Sequence, residues 1–171
     1  MLGTVFEVTS YTESTAGCDR EGPSSMDQLD GETFLYLYEA ESFGSQITST
    51  ITCLSPDECR TKAQAWKSEQ RPPASRAVFY FHRSTGRNQL EGIWRTTGMA
   101  GFEQGKCQGA ESGSSTLELT GDALRVELRA ARADLPADEQ GSCSTAATEK
   151  ALEGKPCSVR RVLRARAHSP L

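Results

Sequence analysis

The chain contains the residue types of a catalytic triad, but their spacing does not predict one. Such a triad combines a serine or cysteine nucleophile with a histidine base and a carboxylate. Serines are frequent, yet none lies in a Gly-x-Ser-x-Gly sequence, and the only histidines are His82 and His168. His82 lies beside a predicted hairpin turn, where we expect an exposed strand residue, and His168 lies near the end of the chain. We therefore predict that the protein is not an enzyme.

Cysteines are the second set of chemically distinctive residues: Cys18, Cys53, Cys59, Cys107, Cys143 and Cys157. An even number of cysteines without a C-x-x-C pair is typical of disulfides rather than of metal sites. We therefore expect no metal and no other cofactor. Disulfides persist in oxidising compartments, which predicts a secreted or cell-envelope protein, periplasmic or lipid-anchored. Because the chain begins Met-Leu-Gly and runs directly into a strand, we expect that an export segment has been removed.

The positions of the cysteines also predict how they pair. Cys53 ends a predicted strand and Cys59 lies in the first turn of a predicted helix, so their pairing would join the two elements. Cys143 and Cys157 flank a second predicted helix and form the second predicted pair. Cys18 and Cys107 remain, and we predict a third disulfide between them.

Aromatic residues supply the candidate binding surface: Phe34, Tyr36, Tyr38, Phe79, Phe81 and Trp94. They lie in predicted strands of high β-propensity. An eight-stranded barrel has an interior just wide enough to be filled by side chains or to hold one small ligand. Both interpretations of the aromatic set, a packed core and a ligand-lining surface, remain open at this stage.

Arginines concentrate towards the C-terminal end of the chain, at Arg160, Arg161, Arg164 and Arg166, with Arg125, Arg129 and Arg132 before them. We interpret them as a solvated strand face with partners such as Glu118 and Glu127; a polyanion-binding strip is the alternative. The net charge of −4 argues against a nucleic-acid partner. No apolar run reaches the roughly 18 residues of a transmembrane segment.

The residues from Ala77 to Trp94 predict the hairpin that organises the fold. With Ser84-Thr85-Gly86-Arg87 as a four-residue loop, Phe81 would oppose Leu90, Phe79 would oppose Gly92, and Ala77 would oppose Trp94. Side chains alternate along a strand, so all six would share one face.

The remaining elements are predicted by alternation and by turn residues. Strands are expected at Thr4 to Tyr11, Thr33 to Tyr38, Gln46 to Leu54 and Ser158 to His168, a hairpin at Thr116 to Leu128 around Gly121-Asp122, and a helix at Ser144 to Glu153. Ser55, Pro56 and Glu58 form a capping box that begins another helix. We predict one all-β domain, residues 1–171, with two short helices. About eight antiparallel strands would form an up-and-down barrel or, alternatively, a two-sheet sandwich.

The first strand, Gly3-Thr-Val-Phe-Glu-Val8, the hairpins that follow and the late helix before a closing strand together resemble a lipocalin-like β-barrel. The opening also resembles small exported lipoprotein domains of bacteria. The resemblance implies a cup that binds small apolar molecules.

Two functions are therefore predicted. The first is an exported, non-enzymatic protein that binds a small apolar ligand in the barrel. The second is an interaction module with a filled core that contacts a protein partner at the cell envelope.

Overall fold

The computed structural model describes residues 2–42, 45–69, 76–96, 100–101, 106–136 and 150–169. Ten strands lie in these ranges: β1 Val5–Ser14, β2 Phe34–Ser42, β3 Ser45–Cys53, β4 Tyr80–Phe81, β5 Arg83–Gly86, β6 Gln89–Thr96, β7 Ala100–Gly101, β8 Lys106–Thr120, β9 Ala123–Pro136 and β10 Val159–Ser169. A helix, α1 Pro56–Glu69, follows β3, and a short 3₁₀ helix, Met26–Leu29, precedes β2.

The strands form one antiparallel sheet that closes almost completely into a barrel. Its order is β4-β3-β2-β1-β10-β9-β8-β6-β5, with β7 paired to β8. Most strands that follow one another in the chain are neighbours in the sheet. The first strand pairs with the last, from Val5 opposite Ser169 to Ser14 opposite Arg160. The predicted all-β, antiparallel barrel is confirmed.

Residues 80–86 close the barrel along a seam, and they do so by changing partner. Tyr80 and Phe81 pair with Ser49 and Thr48 of β3. From His82 onward the chain leaves β3 and pairs with β6. The His82 N–H donates to the Glu91 carbonyl of β6 at 2.9 Å. The barrel is therefore held together here by a short strand on each side of His82.

The register predicted for the organising hairpin is wrong. The structure pairs Ser84 with Leu90 and Gly86 with Gln89, so the predicted loop residues 84–86 belong to β5. Gly92 explains the difference, because a Cβ there would lie 1.9 Å from the Tyr80 carbonyl oxygen. That close approach of two main chains, rather than the length of a loop, determines how the strands meet.

The second hairpin has the predicted register. Leu119 lies opposite Leu124, Leu117 opposite Val126 and Glu118 opposite Arg125. Gly121 adopts φ +62° in the turn, a left-handed conformation that glycine accepts without strain.

The predicted capping box begins α1. The Glu58 N–H donates to Ser55 Oγ at 3.2 Å, and Glu58 Oε2 accepts from the Leu54 N–H at 2.7 Å. Of the second predicted helix, residues 150–152 are helical, and Gly154 ends it with φ +68°. Residues 144–149 of that prediction lie outside the described residues.

Two of the three predicted disulfides are wrong. The pair Cys53–Cys59 is present, but Cys18 bonds to Cys157, which excludes both Cys18–Cys107 and Cys143–Cys157. The pairing of β1 with β10 is the reason, since it brings the loop after β1 beside the start of β10. Cys143 and the side chain of Cys107 lie outside the described part of the chain.

Candidate functional site

The six predicted site residues do not share one surface. Phe79 and Phe81 are 2% and 1% exposed and belong to the core inside the barrel. On β2, however, Leu35 and Leu37 point inward. The alternating residues Phe34, Tyr36 and Tyr38 therefore lie on the outer face, where they pack around the Cys53–Cys59 disulfide beneath α1. The backbone of Trp94 pairs with Gly113 in the sheet, and its side chain lies outside the described part.

Large apolar side chains occupy the barrel interior. The apolar residues that are at most 2% exposed and cluster with Phe79 and Phe81 are Phe6, Leu29, Leu35, Leu37, Leu117, Leu124, Val126, Ala130, Val159, Leu163 and Ala165. A binding surface would therefore lie at the barrel mouth, where this core meets solvent.

A cleft of about 190 Å³ opens at the seam. We name it the seam cleft, and its lining residues are Glu39, Gln46, Ile47, Thr48, Phe81, His82, Arg83, Ser84 and Leu90. Phe81 and Leu90 form an apolar floor that is continuous with the core. Polar and charged side chains surround that floor.

The change of strand partner at His82 creates the seam cleft. The described pairs between β3 and β4 end at Thr48 and Phe81, because the next residues of the chain pair with β6 instead. The Thr50 N–H donates to the Phe79 carbonyl at 3.0 Å. Main-chain groups of alternate residues point to the same edge of a strand, so those of Gln46 also point towards the seam.

Three polar side chains at one wall of the seam cleft make hydrogen bonds within the protein. The Arg83 guanidinium contacts the Glu91 carboxylate at 2.5 Å. The Ser84 hydroxyl donates to the Gly86 carbonyl at 3.0 Å. His82 Nε2 lies 2.9 Å from the carbonyl oxygen of Ile93, and since a carbonyl only accepts, this nitrogen carries the proton.

Sequence reasoning missed most of this site. Only Phe81 was among the predicted ligand-binding residues, and His82 was predicted merely to be exposed, which it is. Glu39, Gln46 and Arg83 carry no local signal, since the structure brings them together from three strands. The available indications were Phe81, Leu90 and His82, which the sequence places in the organising hairpin.

The arginine-rich outer face is largely paired with carboxylates. Glu127 contacts Arg125, Arg129 and Arg160, with 2.9 Å between Glu127 Oε1 and Arg160 Nε. Glu21, which was not predicted, contacts Arg164 at 2.5 Å. The hydrogen bond from Arg164 holds the pKa of the Glu21 carboxyl below its usual value. These contacts support the interpretation of a solvated, ion-paired strand face.

Comparison with known proteins assigns no family to the chain. No family model matches it, and neither a curated protein nor a solved structure is significantly similar to it. Among the described residues, no helix is long and apolar enough to cross a membrane, and no group of three or more His, Cys, Asp and Glu residues is placed to hold a metal ion. The seam cleft is therefore the basis for a functional proposal.

Proposed function

We propose that the protein is an exported, non-enzymatic binding protein that holds a small apolar ligand in the seam cleft. The observation that carries this proposal is the apolar floor of Phe81 and Leu90 at the bottom of a concave, polar-rimmed opening. Ligand sites of proteins commonly combine an apolar lining with a few polar groups. The volume of about 190 Å³ lies below the range of roughly 300–1,000 Å³ that drug-sized ligands occupy, so the ligand is small.

The disulfides support the exported location. Cys18–Cys157 and Cys53–Cys59 join distant and local parts of the chain, and such bonds persist in oxidising compartments such as the periplasm or the extracellular space.

A second candidate function is an interaction module for a protein partner at the cell envelope. The packed interior favours it, since residues such as Phe6, Leu37 and Leu163 are at most 1% exposed and fill the space that a lipocalin-like cup would offer. Under this alternative, the rim of the barrel would contact another protein and the seam cleft would bind no small molecule.

A titration with hexanol, monitored by amide-resolved NMR, distinguishes the ligand-binding function from the interaction module. The proposed ligand-binding function predicts saturable shifts of the amides that line the seam cleft. Leu90→Asn should weaken binding because it places a polar group in the floor, whereas Leu119→Asn should not. Leu119 is the matched control: it is also half-buried against the same core but does not line the cleft.

Two results would count against ligand binding. One is the absence of saturable shifts at the cleft in the wild-type protein. The other is an equal loss of affinity in both leucine variants, which would indicate a general loss of packing. Recovery of a single envelope protein by the immobilised wild type, without ligand binding, would favour the interaction module.

A further inference from the structure

We infer that the ligand of the seam cleft is a short-chain primary amine whose ammonium group is bound by Glu39. This inference rests on the proposed ligand-binding function and specifies the chemical class of the ligand. It follows from which hydrogen-bonding groups of the cleft are engaged within the protein and which are not.

Several side chains of the cleft offer acceptors that no partner among the described residues uses. In the described part of the chain, no hydrogen bond or ion pair engages the carboxylate of Glu39, which lines the cleft and is exposed. His82 uses its Nε2 proton on the Ile93 carbonyl, and in the neutral tautomer with that proton Nδ1 is an acceptor. The Ser84 hydroxyl donates to Gly86, which leaves its oxygen lone pairs as acceptors. The side chains of Gln46 and Thr48 each carry both a donor and an acceptor, so they do not favour a ligand that donates over one that accepts.

The charges of the cleft favour a cation. Of the lining residues, Glu39 contributes −1 and Arg83 contributes +1, but Arg83 is neutralised by Glu91 at 2.5 Å. The side chains of Glu39, Arg83 and Glu91 together therefore carry a net charge of −1. An anionic ligand would meet an arginine whose charge Glu91 already neutralises, whereas an ammonium group meets a carboxylate without an ion-pair partner among the described residues.

The sheet register places the acidic and apolar parts of the cleft at a defined separation. Glu39 lies opposite Thr48, and Thr48 lies opposite Phe81, so the three residues form one row across three strands on the same face. Neighbouring strands are about 4.8 Å apart, which puts Glu39 and Phe81 about 10 Å apart along the row. An amine on a chain of about six carbons spans that distance, with its apolar end on the floor of Phe81 and Leu90.

Three probes of equal chain length test the inference: hexylamine, hexanol and hexanoate. In the wild-type protein, hexylamine should bind about fivefold tighter than hexanol, the upper range for an ion pair that is open to solvent, and hexanoate should bind most weakly. The preference for the amine should shrink at high salt because the charge interaction is screened.

Substitution of Glu39 supplies the second arm of the test. Glu39→Gln should lower the affinity for hexylamine about fivefold to that of hexanol, while the affinity for hexanol stays unchanged. Glu41→Gln is the matched control, because Glu41 lies two residues along the same strand, faces the same way and is exposed without lining the cleft. It should change the amine affinity less than twofold.

The possible results distinguish the claim that the seam cleft binds a ligand from the claim that this ligand is an amine. If no probe binds in the cleft, the proposed function itself fails. If hexanol binds as tightly as hexylamine, or hexanoate binds more tightly, ligand binding stands and the assignment of an amine is overturned. Equal losses in the Glu39 and Glu41 variants would also overturn it, since they would reflect general surface charge rather than a contact of Glu39.

Discussion

Cys18 is joined to Cys157, 139 residues further along the chain, with 5.6 Å between their Cα atoms. The loop that carries Cys18 thereby lies against the start of β10. Its position is also held by hydrogen bonds, because the Cys18 carbonyl accepts from the guanidinium groups of Arg129 at 3.0 Å and Arg160 at 3.4 Å. One covalent bond therefore links the loop after the first strand to the start of the last strand, and β1 and β10 are neighbours in the sheet.

Replacing Cys18 and Cys157 together by alanine should destabilise the protein by about 5 kcal/mol, because a crosslink over so long a loop removes much entropy from the unfolded chain. Replacing Cys53 and Cys59 is the comparison, and by the same relation it should cost about 2 kcal/mol. Chemical denaturation of both double variants measures the difference. Peptide mapping without reduction should yield a Cys18–Cys157 peptide, and a Cys18–Cys107 peptide would contradict the pairing.

The cysteine pairing shows why part of this fold could be predicted from the sequence and part could not. Cys53 and Cys59 are six residues apart at a strand–helix junction, and their spacing alone predicted the bond that the structure contains. The partner of Cys18 depends on the closure of the sheet between β1 and β10. No local spacing carries that information, so the nearest unassigned cysteines were paired incorrectly.

The two hairpins also differ in whether the local sequence determines the register of their strands. The turn at Gly121-Asp122 has a complete local signal, and the pairing of Leu117 with Val126 followed from it. The register around Gly92 is instead set by contact with the Tyr80 main chain from across the seam.

The aromatic residues of β2 were assigned to the wrong face of the sheet. Both faces of that strand are apolar, so alternation could not tell the barrel interior from the surface beneath α1.

Gly92→Ala should destabilise the barrel by about 3 kcal/mol, in the range of overpacked cores, because its Cβ would overlap the Tyr80 carbonyl oxygen. Ser115 Oγ donates to that same oxygen at 2.7 Å, so the main chain has little room to move away. Gly86→Ala in the same hairpin is the control. The three atoms nearest to its added Cβ belong to the side chain of Gln89, whose far end is flexible, so the effect should stay within about 0.5 kcal/mol. Equal thermal shifts in the two variants would rule out this account of the seam.

Ser55→Ala should lower the stability by about 1 kcal/mol, because the Glu58 N–H in the first turn of α1 loses its acceptor. A midpoint of thermal unfolding equal to that of the wild type would mean that the cap contributes nothing. Ser84→Ala serves as a control, since Ser84 is an exposed serine outside any helix.

Glu58 should make the stability of the folded protein depend on pH in the acid range. Its pKa is lowered, first by the hydrogen bond from the Leu54 N–H and then by Lys62. A depressed pKa means that the folded state favours the carboxylate. The stabilisation is therefore complete above the pKa of about 4.5 in the unfolded chain and is lost as the pH falls through the lower folded value. Glu58→Gln should flatten this part of the pH profile of the unfolding midpoint, and an unchanged profile would contradict the assignment.

Tyr11 should make the protein sensitive to alkali. Burial inside the barrel raises the pKa of its phenol from 10.0 to about 12. The folded protein therefore keeps the Tyr11 proton up to about pH 12, whereas the unfolded chain releases it near pH 10. Between these values the unfolded state binds fewer protons, so the free energy of unfolding falls as the pH rises. A shift of this size corresponds to about 2 kcal/mol at the upper end of the window after allowance for partial solvation.

Tyr11→Phe isolates this contribution. The variant loses the hydroxyl that donates to Glu13 at 3.4 Å, a long hydrogen bond, so its stability at neutral pH should change little. Between pH 10 and 12 its free energy of unfolding should decline less steeply than that of the wild type. The decline should not vanish, because burial also raises the pKa of Tyr38 and Tyr80. Denaturation in urea across this pH range, with Tyr36→Phe on the outer face as the control, measures the slopes. Parallel slopes for the wild type and Tyr11→Phe would show that the phenol of Tyr11 ionises as readily in the folded protein as in the unfolded chain.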